Sequence, residues 1–491
     1  MKKTLLLMLS LLLISVFSSA PPVGADETQK PAELKKTNEA RETISDELKF
    51  SFGGDIRYRY ENWTNVTALG TNPTTQKDRN FMRLRMSLWG QADMGKYFDA
   101  YTRITTEPKY YMGPYHPPVT GQSHGLYTDQ DEVFVDNFYL SGKKLFNGLL
   151  DFRVGRQDFL SPEDMYGEGF LIFDGTPGDG SRSFYFNAAK VRLNITKKNS
   201  IDFVYITDMD TDVMMPSIHP AVSGNSGYIN NKRLLTTSHE QAAVVYSRNK
   251  IGSAVTFDPY YIFKIEDGFL TNPRLQLHTF GGRITFSSGE WRVRGELAYQ
   301  FGEYDNSILY PQGIDRTGLG GYFFVGRTFK DTSGKPEIDL GVVYYSGDDP
   351  NDPSNRRSAF DPLFARSPIW NELYVYTLVS ENSAKYANGI PGYWTNLAIF
   401  MLKGMAHFNK STSLTATYQY LLAPEKTSGL STTMFSNNSR DRGHLMTAIL
   451  NKQILKNLVG MLQFEYFIPG KFYASNTDNA SFFRLQLQYK F

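Results

Sequence analysis

The chain has 491 residues, no cysteine, and a formal net charge of +2 that Lys2 and Lys3 alone account for. Thiol chemistry, cysteine-ligated zinc and disulfide scaffolds are excluded, and any electropositive surface must come from where the charges sit. The mean hydropathy of −0.38 is too polar for a helical membrane protein, yet a β-barrel reads this way because only alternate strand residues meet lipid. The 31 Tyr and 35 Phe suit strands and interfacial aromatic girdles.

At the N-terminus Met1-Lys2-Lys3 precedes the apolar run Thr4–Phe17, which reads as a secretory signal. Val23-Gly24-Ala25 before Asp26 fits the small-x-small pattern, so cleavage is expected after Ala25. No later apolar stretch is long enough for a transmembrane helix. Residues 26–49 are charged and free of aromatics, a flexible or partly helical periplasmic lead. Residues 50–491 then make one barrel domain.

Candidate strands follow in order at Phe52–Trp63, Arg79–Ala92, Tyr97–Glu107, Glu132–Leu140, Leu150–Leu160 and Asn187–Ile195. The next are Ser200–Thr207, Glu240–Ser247, Gly252–Lys264, Arg274–Phe286, Glu290–Glu303 and Thr317–Lys330. The last are Glu337–Ser346, Trp394–Phe408, Ser411–Leu422, Arg442–Gln453, Leu455–Ile468 and Ser481–Phe491. Successive side chains of a strand face opposite ways. In the second, Met82, Leu84, Met86 and Leu88 oppose Arg83, Arg85 and Ser87; in the last, Phe483, Leu485, Leu487, Tyr489 and Phe491 oppose Arg484, Gln486, Gln488 and Lys490. A terminal strand with one fully apolar face must pair its edge in lipid, and pairing with the first strand closes a cylinder.

Short links such as Met94–Lys96, Ser287–Gly289 and Asn409–Lys410 alternate with long polar ones such as Pro108–Asp131, Ser161–Phe186, Asp208–His239, Gly347–Tyr393 and Ala423–Asp441. Outer-membrane barrels alternate periplasmic turns and external loops in this way. The expected fold is an all-β transmembrane antiparallel β-barrel of about 18 strands, or about 16 if the blurred segments Glu132–Leu140 and Gly252–Lys264 are not strands.

Projected inward, the polar parity carries Arg57, Arg59, Arg83, Arg85, Arg103, Arg153, Lys190, Arg192, Arg292, Arg294 and Arg484. A wall of guanidinium groups attracts anions and pairs carboxylates in forked geometry. The competing reading is a neutral ladder in which these groups pair with Asp55, Glu61, Asp99, Asp151, Glu296 and Glu465 and only hold the barrel in shape. Arg156 has the wrong parity beside Arg153, which leaves its direction open.

Other chemistry finds little support. Asp208, Asp210 and Asp212, and the run Gly347-Asp348-Asp349-Pro350-Asn351-Asp352, complete no EF-hand loop and read as solvated turn formers. No Ser–His motif, zinc motif or phosphate loop marks a catalytic centre. No cofactor, metal, catalytic residue or nucleic-acid partner is expected.

Three groups of segments resemble the alginate-export porin family. They are Phe152-Arg153-Val154-Gly155-Arg156-Gln157 with Tyr166-Gly167 and Phe173-Asp174-Gly175; Tyr345-Ser346-Gly347-Asp348-Asp349-Pro350 with Phe360-Asp361-Pro362-Leu363; and Gly443-His444 with Phe467-Ile468-Pro469-Gly470-Lys471-Phe472-Tyr473. They span most of the chain after the signal, in the family's order. The resemblance implies an 18-strand barrel with an arginine-rich lumen that passes a polyuronate outward, gated by loops and periplasmic export partners. It assigns Val154, Gly155, Arg156 and Gln157 no transport role. The expected function is a non-enzymatic channel of the bacterial outer membrane for an anionic glycan or a smaller anionic solute. The alternatives are a general diffusion porin and a barrel enzyme.

Overall fold

The computed structural model describes residues 48–66, 78–112, 128–129, 133–159, 164–168, 171, 173, 185–210, 212, 214–218, 238–268, 273–307, 311–349, 351, 356–364, 369–374, 394–427 and 432–491. The expected signal, and the lead except for Leu48 and Lys49, lie outside the described residues.

Eighteen long strands run around the molecule. They begin with β1 (Leu48–Thr64), β2 (Arg79–Met94), β3 (Phe98–Thr106), β4 (Val133–Lys144), β5 (Leu150–Gln157) and β6 (Phe186–Asn194). They continue with β7 (Asn199–Asp208), β8 (Glu240–Ile251), β9 (Val255–Glu266), β10 (Leu275–Ser288), β11 (Trp291–Tyr304) and β12 (Ile314–Thr328). They end with β13 (Glu337–Tyr345), β14 (Leu397–Asn409), β15 (Thr412–Leu422), β16 (Asp441–Leu455), β17 (Leu458–Pro469) and β18 (Ala480–Lys490). Four strands of two or three residues decorate the long links. All eighteen expected strands are present, including the two blurred ones; β4 runs on to Lys144 and shortens the turn that follows.

Neighbours in sequence pair antiparallel, and β18 returns to β1 with Asp55 opposite Lys490 and Thr64 opposite Ser481. Phe491 adds two backbone hydrogen bonds to Gly54, at 2.9 and 3.0 Å. Glycine is required at this seam: a Cβ on Gly53 would lie 2.5 Å from the Phe491 carbonyl oxygen, and one on Gly54 would lie 2.4 Å from that of Ser87.

The exposure pattern is inverted relative to a water-soluble protein. On β2, Leu84, Met86 and Leu88 are 38, 40 and 62% exposed, while Arg83 and Arg85 are 7 and 5%. The same holds around the wall, with Phe138, Phe280, Leu297, Phe323, Leu340, Phe400 and Phe464 all exposed. A continuous apolar exterior of this extent needs an apolar surrounding.

The interior is not an open bore. Phe159, Tyr166, Leu171 and Phe173 from one link, and Phe360, Leu363, Phe364, Trp370, Leu373 and Tyr374 from another, enter it and share one buried apolar cluster with wall residues such as Val204, Ile206, Val244, Ile262 and Leu277. The two groups meet where Phe173 stacks on Phe364 at 5.3 Å. Each such buried ring contributes about 1.5–3 kcal/mol. The wall makes room for them: a Cβ on Gly320 would lie 2.6 Å from the Phe360 ring. Polar anchors fix the second group. Trp370 Nε1 donates to Tyr345 Oη at 2.9 Å, Lys264 Nζ donates to the Leu363 carbonyl at 3.0 Å, and the Leu373 amide donates to Glu465 at 2.8 Å.

Candidate functional site

Alternation along β1–β3 sends Arg57, Arg59, Arg83, Arg85 and Arg103 inward, where acids meet them. Arg57 reaches Glu107 at 3.0 Å, and Arg83 bonds Glu107 and lies 3.4 Å from Glu61. Arg59 lies 3.8 Å from Glu61 and donates to Gln486. Arg85 lies 3.7 Å from Asp136, which Arg103 also contacts at 2.9 Å; Arg103 reaches Asp158 at 2.9 Å as well. Arg484 of β18 closes the set on Glu61 at 2.8 Å. Burying such charges is costly unless each is paired, which explains the density of pairing.

A second group follows on β5–β11. Asp164, on the link after β5, receives Arg153 at 3.0 Å, Arg192 at 3.5 Å, and Lys190. Arg192 also contacts Asp202 at 2.7 Å, and Arg248 contacts the same carboxylate at 2.5 Å. Glu168 receives Arg283 at 3.0 Å and Arg294. Arg292 bridges to Glu337 at 2.7 Å and Asp339 at 2.9 Å. Burial raises the Asp164 carboxyl, but Lys190 and Arg153 outweigh it and hold the group well below the usual carboxylate range.

The two groups differ in access. Side chains of Arg57, Arg59, Arg83 and Arg85 are 5–8% exposed. Arg153, Arg248 and Arg283 are 20% exposed, and Arg294 and Arg292 reach 28 and 30%. Arg103, at 17%, and Lys190, at 6%, are the exceptions to this division.

The pairing acids are mostly not the expected ones. Glu61 does join the ladder, and Asp99 pairs with Lys143 at 2.6 Å. Asp55 accepts from Ser87, Asp151 from Asn194, Glu296 from Tyr260 and Tyr322, and Glu465 from backbone amides of an inserted link. Arg156 is buried against Asp212 at 2.7 Å, and Gly155, at φ +128°, breaks the alternation between it and Arg153. Asp212 thus serves an ion pair. Among the described residues, no group of His, Asp and Glu could hold a metal ion.

Sequence reasoning passed over Arg248, Arg283, Asp164 and Glu168. Arg248 falls at the end of β8 in what reads as a turn. Arg283 shares its parity with Leu275 and Leu277, which face the inserted links. The rule that polar parity points inward fails wherever the lumen is filled with apolar side chains.

The fold is that of a porin-type barrel, closed by eighteen antiparallel strands. It is similar to a BenF-like porin from Pseudomonas fluorescens Pf-5, with a TM-score of 0.52 and 10% identity over 90% of this chain and 98% of that one. OccAB4 of Acinetobacter baumannii has the same TM-score, identity and coverage, and OccK8 (OprE) of Pseudomonas aeruginosa gives 0.51 and 11% over 90 and 98%. No family model and no curated protein matches the chain. The narrower likeness to alginate-export porins rests on the short sequence segments alone.

Proposed function

We propose that the chain is a non-enzymatic channel of the bacterial outer membrane that passes an anionic solute, with a polyuronate-like glycan the first candidate. The observation that carries this reading is the run of partly exposed guanidinium groups, Arg153, Arg192, Arg248, Arg283, Arg294 and Arg292, along the inner wall. Each offers forked donors to a carboxylate. Each already shares an acid, so an incoming carboxylate exchanges one pair for another and is released as readily as it is bound, which conduction requires. The apolar exterior supports residence in a lipid bilayer. Cleavage after Ala25 and a periplasmic lead over residues 26–49, open to export partners, complete the proposal.

The inserted links favour a selective channel over a general diffusion porin, since they occupy cross-section that a general porin leaves to water. The test is single-channel current in a planar bilayer, with oligouronates and neutral oligosaccharides of equal length. Block by uronates alone, weakened in the Arg292→Gln/Arg294→Gln variant, supports the proposal. Equal indifference to both sugars with little anion preference overturns it.

A further inference from the structure

The Asp164–Glu168 segment crosses the charged wall with a carboxylate at each end. Asp164 occupies a basic nest of Arg153, Lys190 and Arg192. Glu168 occupies a second nest of Arg283 and Arg294. Between them, Arg248 donates to the carbonyls of Asp164 and Met165 at 3.2 and 3.0 Å. Tyr166 is fully buried, donates to Asp202 at 3.1 Å and packs on Phe159, Phe173 and Tyr246. Gly167, at φ +62°, lies so close to the wall that a Cβ would sit 2.7 Å from Glu296 Oε2, and its amide donates to Tyr246 Oη at 3.0 Å.

We propose that these two nests form a two-carboxylate binding site for solute, and that Asp164 and Glu168 are its resident counter-ions. The inference rests on the anionic-channel reading and deepens it. In each nest the chain's own carboxylate makes the hydrogen bonds that a solute carboxylate would make, so exchange alters few contacts. Tyr166 and Gly167 anchor the backbone, and the two acidic side chains are the parts that swing away. Asp164 and Glu168 stand four residues apart, so their Cα atoms are at most about 14 Å apart. A solute with two carboxylates within that span replaces both residents at once, and its second contact forms at the high effective concentration set by the first. A monocarboxylate replaces one resident and leaves the other in place. The site therefore selects short oligouronates or dicarboxylates over monoacids of the same charge density.

The test measures current block in Asp164→Asn, Glu168→Gln and the double variant, with digalacturonate, pimelate and monomeric galacturonate as probes. Heat-modifiable migration on gels checks that each variant is folded. The double variant is expected to bind a two-carboxylate probe at least tenfold more tightly than the unaltered protein, with only a few-fold gain for monomeric galacturonate. Each single variant is expected to gain equally for one-carboxylate and two-carboxylate probes. A larger gain for digalacturonate than for pimelate identifies a uronate chain as the source of the carboxylates, and the reverse identifies a free diacid. If the unaltered channel is blocked by uronates while the folded double variant gains nothing, or gains equally for all probes, the two-carboxylate site is overturned and the anionic channel stands. If no probe blocks either protein, both fall.

Discussion

Glu61 of the first barrel strand and Arg484 of the last meet at 2.8 Å across the seam that closes the cylinder. Their side chains are 0 and 3% exposed, and Arg83 and Arg59 lie on the same carboxylate. The joint is thus both a backbone ladder and a buried charge cluster.

Glu61→Gln removes the carboxylate that these guanidinium groups share in a buried site, although Arg83 keeps Glu107 and Arg484 keeps Glu372. Removing one partner so that a buried charge is left uncompensated costs about 3–5 kcal/mol, and the remaining acids make the expected loss smaller than that. Urea titration of the folded barrel, followed by gel mobility, should show a lower midpoint. An unchanged midpoint would mean that the seam is held by its backbone bonds alone.

Gly155→Ala should impair folding. Its φ of +128° is unfavourable for alanine, and the new Cβ would sit 2.3 Å from the Phe138 carbonyl oxygen. Backbone strain of this kind costs about 1–3 kcal/mol before the steric contact is counted. Gly90→Ala is the control, because nothing lies within 4 Å of its Cβ position; a surface-like change of this sort stays within about 0.5 kcal/mol. Equal folded yields of the two variants would refute the assignment.

Phe360→Ala should widen the lumen and loosen the inserted links. Phe360 is 1% exposed and packs on Tyr345 at 5.5 Å. Truncating a buried Phe costs about 3–5 kcal/mol. Single-channel recording should show higher conductance with more frequent flicker. Unaltered conductance would place the conduction path away from this link.

The Asp164 carboxyl is held below its ordinary value because Lys190 and Arg153 overcome its burial. Its stabilising contribution is full above the unfolded carboxylate value of about 3.9 and is lost as pH falls through the lower folded value. Channel noise should stay low from pH 7 down to about pH 4, because the Asp164 carboxylate stays ionised there in the folded channel, and Asp164→Asn should be noisy across that whole range. A variant as quiet as the unaltered protein at pH 7 would contradict this.

The eighteen strands, their order and the closing of the last on the first were legible in the chain. Alternation is local: Leu84, Met86 and Leu88 against Arg83 and Arg85 declare their faces within a few residues, and short and long links declare the two ends. What the lumen holds was not legible. Leu275, Leu277 and Val244 look outward-facing by polarity, yet they point inward because Phe364, Trp370 and their neighbours supply an apolar interior there.

Ion pairing was equally hidden. Glu168 meets Arg283 across 115 residues, and Glu61 meets Arg484 across 423. The chain by itself determined a closed barrel with arginines on its inner parity, because a strand's pattern depends only on its own residues. Only the tertiary structure decided which acids neutralise those arginines and which links fill the bore, because those contacts depend on where distant segments of the chain come to lie.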